Sequence, residues 1–581
     1  MVSPLEGVFV ARRLQSPSLP DQTPTAKVRQ TQATTLAVEA QSNPVQTNFR
    51  NITTSGVDED ALTVSAPGDT LLNFGRLTTS GDLADGIFAP ADGVTIRNFS
   101  AIDTSGQGAA GIFVLGEDAN VTNFGSIVTR GDFLDPIPDE DDDDAFSEGM
   151  TVIGDGFRIT NFGRIRVEGE LSSAMSGVGN DGVIVNYGSA TSTAVGSSLI
   201  AAIGDRSQAI NAGLATMNVD DVAVLFARGE DATARNVGRI LVTGTNTAGI
   251  EGVLANTHLD NSGSIRVDGD EGIGIAGFGD AHHLTNSGLI DVRGDRSVGM
   301  DGNGIEAFGL TGTDIEIQNS GRITTVGQLA VGTALGFNHL GFRPAVDGTI
   351  VNSGVIDSEG DGSAGVVMVG DGHRLVNSGR ITTDGGAFDS ETVGPFRAAG
   401  VVVVGDDGVV ENSGSIRSRD AASAAVELNV VEQEGVPAAG LSSQLTNSGL
   451  ISAPDVAVLG GAGQETVVNR GRIVGDVSLG EGNDTFTFAR GGSVNGEVAL
   501  GSGDDLVRVE NGSGISRVAD FTAGDDVVDV SAFYSSFDQV LANARQHGAD
   551  VVIKLDRNDT LVLKNVNLGT LTESDFVVQT V

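Results

Sequence analysis

The sequence predicts an all-β fold, a parallel, right-handed β-helix of about sixteen coils capped by a small β-rich C-terminal domain with one helix. Three observations carry this. A motif Asn-x-Gly-x-Ile recurs through most of the chain. The segments between its copies are short and β-branched, such as Gly-Ile-Phe-Val-Leu-Gly (111–116) and Gly-Val-Val-Val-Val-Gly (400–405). Gly accounts for 83 of 581 residues, about twice ordinary usage, without the spacing of collagen, so many tight turns join short strands.

The motif places Asn at 48, 73, 98, 123, 161, 186, 211, 236, 261, 286, 319, 352, 377, 412, 447 and 469, and nine of the fifteen intervals are 25 residues. Intervals of 33, 35 and 38 are the same unit with an insertion. Gly stands two residues after the Asn in 14 of 16 copies, and Ile or Leu four residues after it in 14 of 16, Ala190 and Ala215 being the exceptions. One such unit cannot bury its own apolar face, but stacking the units sets each Ile on the last and closes a continuous core. Strands of successive coils then pair about 4.8 Å apart, and the default hand of parallel crossovers is right. The Asn column is expected to form an amide ladder at a coil corner. The residue after it is aromatic in the first six copies (Phe49, Phe74, Phe99, Phe124, Phe162, Tyr187) and Ser from 262 through 448. That change predicts an aromatic stack giving way to a hydroxyl row.

The organisation follows: a disordered arm over 1–47, rich in Gln, Thr, Ser and Pro; the β-helix over 48–474; two coils of different character over 475–514; and a terminal domain over 515–581. Arg12 and Arg13 are not followed by an apolar stretch, so an ordinary cleaved signal peptide is not expected. No run reaches the roughly 20 apolar residues of a membrane span.

Charge and residue types narrow the function. With 34 Lys+Arg against 77 Asp+Glu the formal charge is -43, and the only lysines are Lys27, Lys554 and Lys564. Nucleic acid is therefore not an expected partner, because binding phosphates needs a basic face. Absence of Cys excludes disulfides, thiolate metal sites and Cys nucleophiles. Asp or Glu recurs six residues before the Asn (Asp92, Glu117, Asp155, Glu230, Asp280, Asp371, Asp406), and stacking would bring these carboxylates close enough to repel unless solvated or bridged by a hard cation. The favoured expectation is a solvated turn, as it is for the pair His282-His283, and the run Asp139–Asp144 is expected to form an anionic loop.

After Asn469 the register changes. Val477-Ser-Leu-Gly-Glu-Gly-Asn-Asp-Thr-Phe486 is followed by Val498-Ala-Leu-Gly-Ser-Gly-Asp-Asp-Leu-Val507, each with Gly-x-Gly-x-Asp. This resembles the calcium-binding nonapeptide of RTX proteins, although Leu479 and Leu500 replace its opening Gly and the spacing is 21 rather than 9. Ile515-Ser-Arg-Val-Ala-Asp-Phe-Thr-Ala-Gly-Asp-Asp-Val-Val-Asp-Val-Ser531 is similar to the C-terminal targeting domain of type I secreted proteins. Ser536-Phe-Asp-Gln539 reads as a capping box opening a helix with Phe537, Val540, Leu541 and Ala544 on one face, ending before Gly548; a hairpin (551–555 with 561–563) follows. The resemblance implies Ca2+ at Gly480, Gly482, Asp484, Gly501, Gly503, Asp505, Asp525 and Asp526, and export through an ABC-transporter channel to the extracellular space or cell surface.

The Asn-Ser-Gly repeats are also similar to those of autotransporter passengers, and the coil architecture to pectate-lyase-like β-helices. Two functions are therefore expected in order: a secreted, calcium-binding structural or adhesin-like protein meeting cell-surface or matrix polysaccharide; or a polysaccharide lyase, hydrolase or epimerase working in a groove walled by insertions at 132–149, 294–315, 327–346, 385–397 and 428–441. Scattered His residues and the lack of Lys between 48 and 475 weigh against the second.

Overall fold

A computed structural model describes residues 44–134, 147–193, 195–305, 311–338, 341–342, 345–390, 394–430 and 440–579. Most of the arm, the acidic run 139–144 and parts of the insertions lie outside the described residues. The chain forms two compact units, Met1–Asp268 and Gly269–Val581, and each is built as a parallel β-helix.

In the first unit a typical coil carries strands Thr70–Asn73, Leu77–Thr79 and Ile87–Ala89. Each pairs in parallel and without slippage with its counterpart one coil on, Asn73 with Asn98, Leu77 with Ile102 and Ile87 with Ile112. The 25-residue repeat enforces this register, since a one-residue slip would turn every Ile to solvent. The first strand, Val45–Asn48, begins three residues inside the segment expected to be disordered. In the second unit, Glu316–Asn319, Arg322–Val326 and Val331–Leu335 pair likewise with Thr349–Asn352, Val355–Glu359 and Ala364–Val369. Two insertions in this unit include short antiparallel pairs, Phe337–Asn338 with Gly341–Phe342 and Ala387–Ser390 with Gly394–Arg397. Phe337 packs on Ala334, Val367 and Val402, which form the outer side of the third strands.

The interior is a set of columns, one residue per coil. The Ile column (Leu77, Ile102, Ile127, Ile165 in one unit; Ile323, Ile356, Ile381, Ile416 in the other) is buried throughout. Each member contributes about 1.5–3 kcal/mol by transfer from water, before chain entropy is subtracted. The Asn column is buried as well, and each Nδ2 donates to the Oδ1 of the next coil's Asn. The distances are 2.8–2.9 Å from Asn48 to Asn261 and 2.7–2.9 Å from Asn286 to Asn469. The expected amide ladder is present in both units.

The Gly-x-Gly-x-Asp segments continue the second unit's stack with shorter coils: Thr485–Phe488 pairs with Gln464–Asn469 on one side and with Leu506–Val509 on the other. Val527–Asp529 adds the next rung. The helix spans Phe537–Asn543, with the Ser536 side chain accepting from the Gln539 N–H. It stops short of the expected end because Ala544–His547 turns into a strand, pairing antiparallel with Asp550–Lys554, which pairs in turn with Thr560–Leu563. Of the four residues expected on its buried face, Val540 and Ala544 are buried and Leu541 is exposed.

Candidate cation site and surface columns

The strongest candidate lies in one interior column, four residues before the Asn. In the first unit it runs Asp69, Val94, Ala119, Phe157, Gly182, Ser207, Ala232, Thr257; its apolar members are fully buried, and Asp69, also buried, accepts from Gln46 Nε2 at 3.1 Å. In the second it runs His282, Ile315, Gly348, His373, Gly408, Ser443 and then Glu465, Asp484, Asp505 and Asp526. Four successive coils thus place a carboxyl group inside the stack, each at most 3 % exposed.

Backbone geometry accounts for half of each Asp. One carboxylate oxygen accepts the N–H of the previous coil's acid: Asp484 Oδ1 from Glu465 N at 2.8 Å, Asp505 Oδ1 from Asp484 N at 2.8 Å, and Asp526 Oδ1 from Asp505 N at 3.2 Å. Asp526 Oδ2 accepts from Thr522 N at 2.7 Å, completing its set. The Oδ2 atoms of Asp484 and Asp505 are buried without a hydrogen-bond partner. Burial pushes Asp505 and Asp526 up to about 6, with the hydrogen bonds from Asp484 N and Thr522 N pulling the other way. Glu465 and Asp484 face one another; burial raises both, and the Asp484 charge raises Glu465 further.

The glycines of the motif have a structural cause. Gly482 and Gly503 hold φ of 129° and 143°, and a Cβ on Gly503 would sit 1.7 Å from the Gly482 carbonyl oxygen. Gly480 and Gly501 stack in the same way. Asp525 is exposed beside the buried Asp526, so the structure separates these two expected ligands. Among the described residues no three His, Asp or Glu gather round one point. A cation at the orphaned Asp484 and Asp505 oxygens would therefore complete its shell with backbone carbonyls or water. Glu465 belongs to the row and was missed because Glu stands where the motif has Asp: Gly461-Ala-Gly463-Gln-Glu465 repeats the Gly-x-Gly-x-acid pattern, and Gly480 and Gly482 stack on Gly461 and Gly463.

The other acids are mostly employed in stacking. Each Asp of the turn column accepts the backbone N–H of the next coil, for example Asp92 from Glu117 at 2.9 Å, Asp155 from Asn180 at 2.7 Å and Asp371 from Asp406 at 2.8 Å. Asn180 does the same for Asp205 at 2.9 Å, so the column needs an acceptor rather than a charge. In the C-terminal segment Asp520 accepts from Leu500 and Gly501, and Asp559 from Gly512 and Gly514. His282 is buried rather than in an exposed turn, and burial pulls its pKa down to about 4. Its neighbour His283 faces out to Glu316 at 3.2 Å. His373 takes the Gly348 N–H on Nδ1 and so carries its proton on Nε2, toward the Val369 carbonyl.

On the outside, the aromatic column is stacked, with ring centroids 4.7–5.2 Å apart and planes within 12°. Its rings are 40–74 % exposed. The Ser column of the second unit is also exposed, and Ser353, Ser413 and Ser448 donate to the preceding coil's Asn carbonyl at 3.4–3.5 Å. A shallow recess in the second unit, where Leu450–Gly460 bends, is lined by Arg417, Arg419, Asp455, Asp476 and Asn495. No family model and no curated protein matches the chain.

Proposed function

We propose that the chain is an exported, calcium-binding β-helix protein with a structural or adhesin-like role at the cell surface, released by type I secretion. The observation that carries the reading is the row Glu465–Asp484–Asp505–Asp526, in which four interior carboxylate oxygens, both of Glu465 and one each of Asp484 and Asp505, lack a partner. An all-oxygen, anionic donor set suits a hard cation such as Ca2+, and binding there would offset the cost of burying like charges one coil apart. The turns built on Gly480, Gly482, Gly501 and Gly503 would add carbonyl oxygens, while Asp525 and Asp526 extend the acidic set. Two features favour a structural role: turn carboxylates serve as inter-coil acceptors, and His282 and His373 are core residues. The similarity of residues 515–581 to secretion target domains supports export.

Melting the full chain in calcium and in chelator tests the reading. Calcium at about 100 times its Kd adds about 2.7 kcal/mol to stability; an unchanged melting temperature overturns the calcium assignment. Undiminished export of a chain lacking 515–581 overturns the secretion assignment. A second reading, a polysaccharide-active enzyme, is favoured by the recess with Arg417, Asp455 and Asp476. There Arg419 is tied to Asp384 at 3.3 Å and Asp476 accepts the Glu497 N–H at 2.9 Å. Release of reducing or unsaturated sugars from acidic polysaccharides would establish it.

A further inference from the structure

The exposed aromatic column of the first unit lies in a strip of unusual charge. From three residues before to three residues after each Asn of the first six coils there is no Asp or Glu, and there are five Arg: Arg50, Arg76, Arg97, Arg158 and Arg164. This is in a chain with more than twice as many acids as bases. Arg76 pairs with Asp103 at 3.4 Å. Arg50, Arg97, Arg158 and Arg164 make no ion pair among the described residues, whereas most arginines elsewhere on this strand face of the second unit do: Arg322 with Asp357 at 2.7 Å and Arg374 with Glu411 at 2.8 Å.

The stacking decides what the rings can recognise. Near-parallel rings about one coil apart cover each other's faces, so sugar rings cannot lie flat on them; the edges point outward. A ring edge is the positive end of the aromatic quadrupole, and guanidinium groups favour carboxylates and sulfates. Edges and free Arg together therefore select anionic oxygens, repeated once per coil at about 4.8 Å.

We infer that this strip binds a linear acidic polysaccharide, its chain running along the stacked rings with its carboxylates on the arginines. The inference rests on the surface-binding part of the proposed function and not on its calcium part. Charge density favours this polymer over nucleic acid. Duplex DNA carries a charge per roughly 1.7 Å, about three for each coil, against fewer than one Arg per coil. A polyuronate has one carboxylate per sugar. A membrane is disfavoured by the polar flanks of the single ring column, Thr95, Thr122, Thr160, Ser126 and Ser189.

The test is titration calorimetry of the full chain at low salt in chelator, with polygalacturonate, its carboxyl-reduced neutral form, poly(dT), and phosphatidylglycerol vesicles. The expected result is salt-sensitive binding to polygalacturonate alone. The triple variant Arg97→Ala/Arg158→Ala/Arg164→Ala is expected to bind about tenfold more weakly. Phe99→Ser/Phe124→Ser installs the residue that the second unit carries at this register, and is expected to weaken binding with an unchanged melting temperature. Equal binding to the neutral polymer, preference for poly(dT) or vesicles, no binding, or binding unaffected in both variants overturns the inference. Because calcium is absent throughout, these outcomes stand apart from the calcium melting experiment.

Discussion

The two units share a backbone and differ in what fills the same columns. Four residues before the Asn, the first unit carries one acid, Asp69, followed by Val94, Ala119 and Phe157, while the second ends in four acids in succession, Glu465, Asp484, Asp505 and Asp526. One residue after the Asn, the first unit displays stacked aromatic rings and the second a Ser row bonded to its own backbone. The ladder of amides and the Ile column are common to both, so parallel pairing and aliphatic burial hold the stack whatever the other columns contain. Chemistry is free to vary in a column because a change there repeats without disturbing register.

The largest break is expected where the first unit's interior column is bulkiest. Phe157 is fully buried, and room for it is made by Gly177 and Gly182, whose Cβ atoms would lie 2.2 and 2.0 Å from its ring. Phe157→Ala is expected to cost about 3–5 kcal/mol in denaturant unfolding, because flanking coils locked in register cannot collapse into the void. Next is a pH effect. Glu148 is buried, hydrogen-bonded to Thr151, and pushed up by burial to about 7. Its folded pKa exceeds its unfolded value of 4.5, so its favourable contribution is complete below pH 4.5 and is lost as pH rises through 7. Stability of the natural chain relative to Glu148→Gln should fall by about 3 kcal/mol across that window, read from paired melting curves.

The fold was legible because a solenoid writes its geometry into sequence: the 25-residue spacing of Asn, the Ile four residues on and the Gly between them each correspond to one column. Less legible was which side of the wall a polar residue occupies. His282 and Asp484 both read as turn residues next to Gly-rich stretches, yet both lie inside, because the position four before the Asn faces inward in every coil. The turn acids were legible as turn residues but not for the bond they make. Asp92 and Asp371 recur because a short side chain there reaches the next coil's N–H, which Asn180 does equally well. The helix end at Asn543 was lost to tertiary pairing, since residues 544–547 gain more from the antiparallel strand than from another helical turn.

A smaller effect of opposite sign is expected in the second unit's interior column. Asp505→Asn keeps the oxygen that accepts the Asp484 N–H, and the Asn ladder shows that an amide fits at one-coil spacing. It also removes one charge from a buried row of like charges. In chelator the variant should be more stable than the natural chain by about 1 kcal/mol, and calcium, expected to raise the melting temperature of the natural chain, should not raise that of the variant. Destabilisation in chelator would mean that the row is already neutralised by shared protons.

The smallest change is expected on the outer column. Phe124 is 45 % exposed, so replacing it removes contact with Phe99 and Phe162 without opening the interior. In Phe124→Ser the new hydroxyl can donate to the Asn98 carbonyl, as Ser353 does to Asn319 and Ser413 to Asn377. Loss of two ring contacts, each worth about 0.5–1.5 kcal/mol beyond area burial, is offset by the new hydrogen bond of about 1 kcal/mol and by the apolar edge withdrawn from water. Calorimetry should find a net change below about 1 kcal/mol. A larger loss would show that the rings brace the coils, making the first unit's column structural; a change within that bound leaves ring edges that the fold does not need, the condition under which a surface column is available for a ligand.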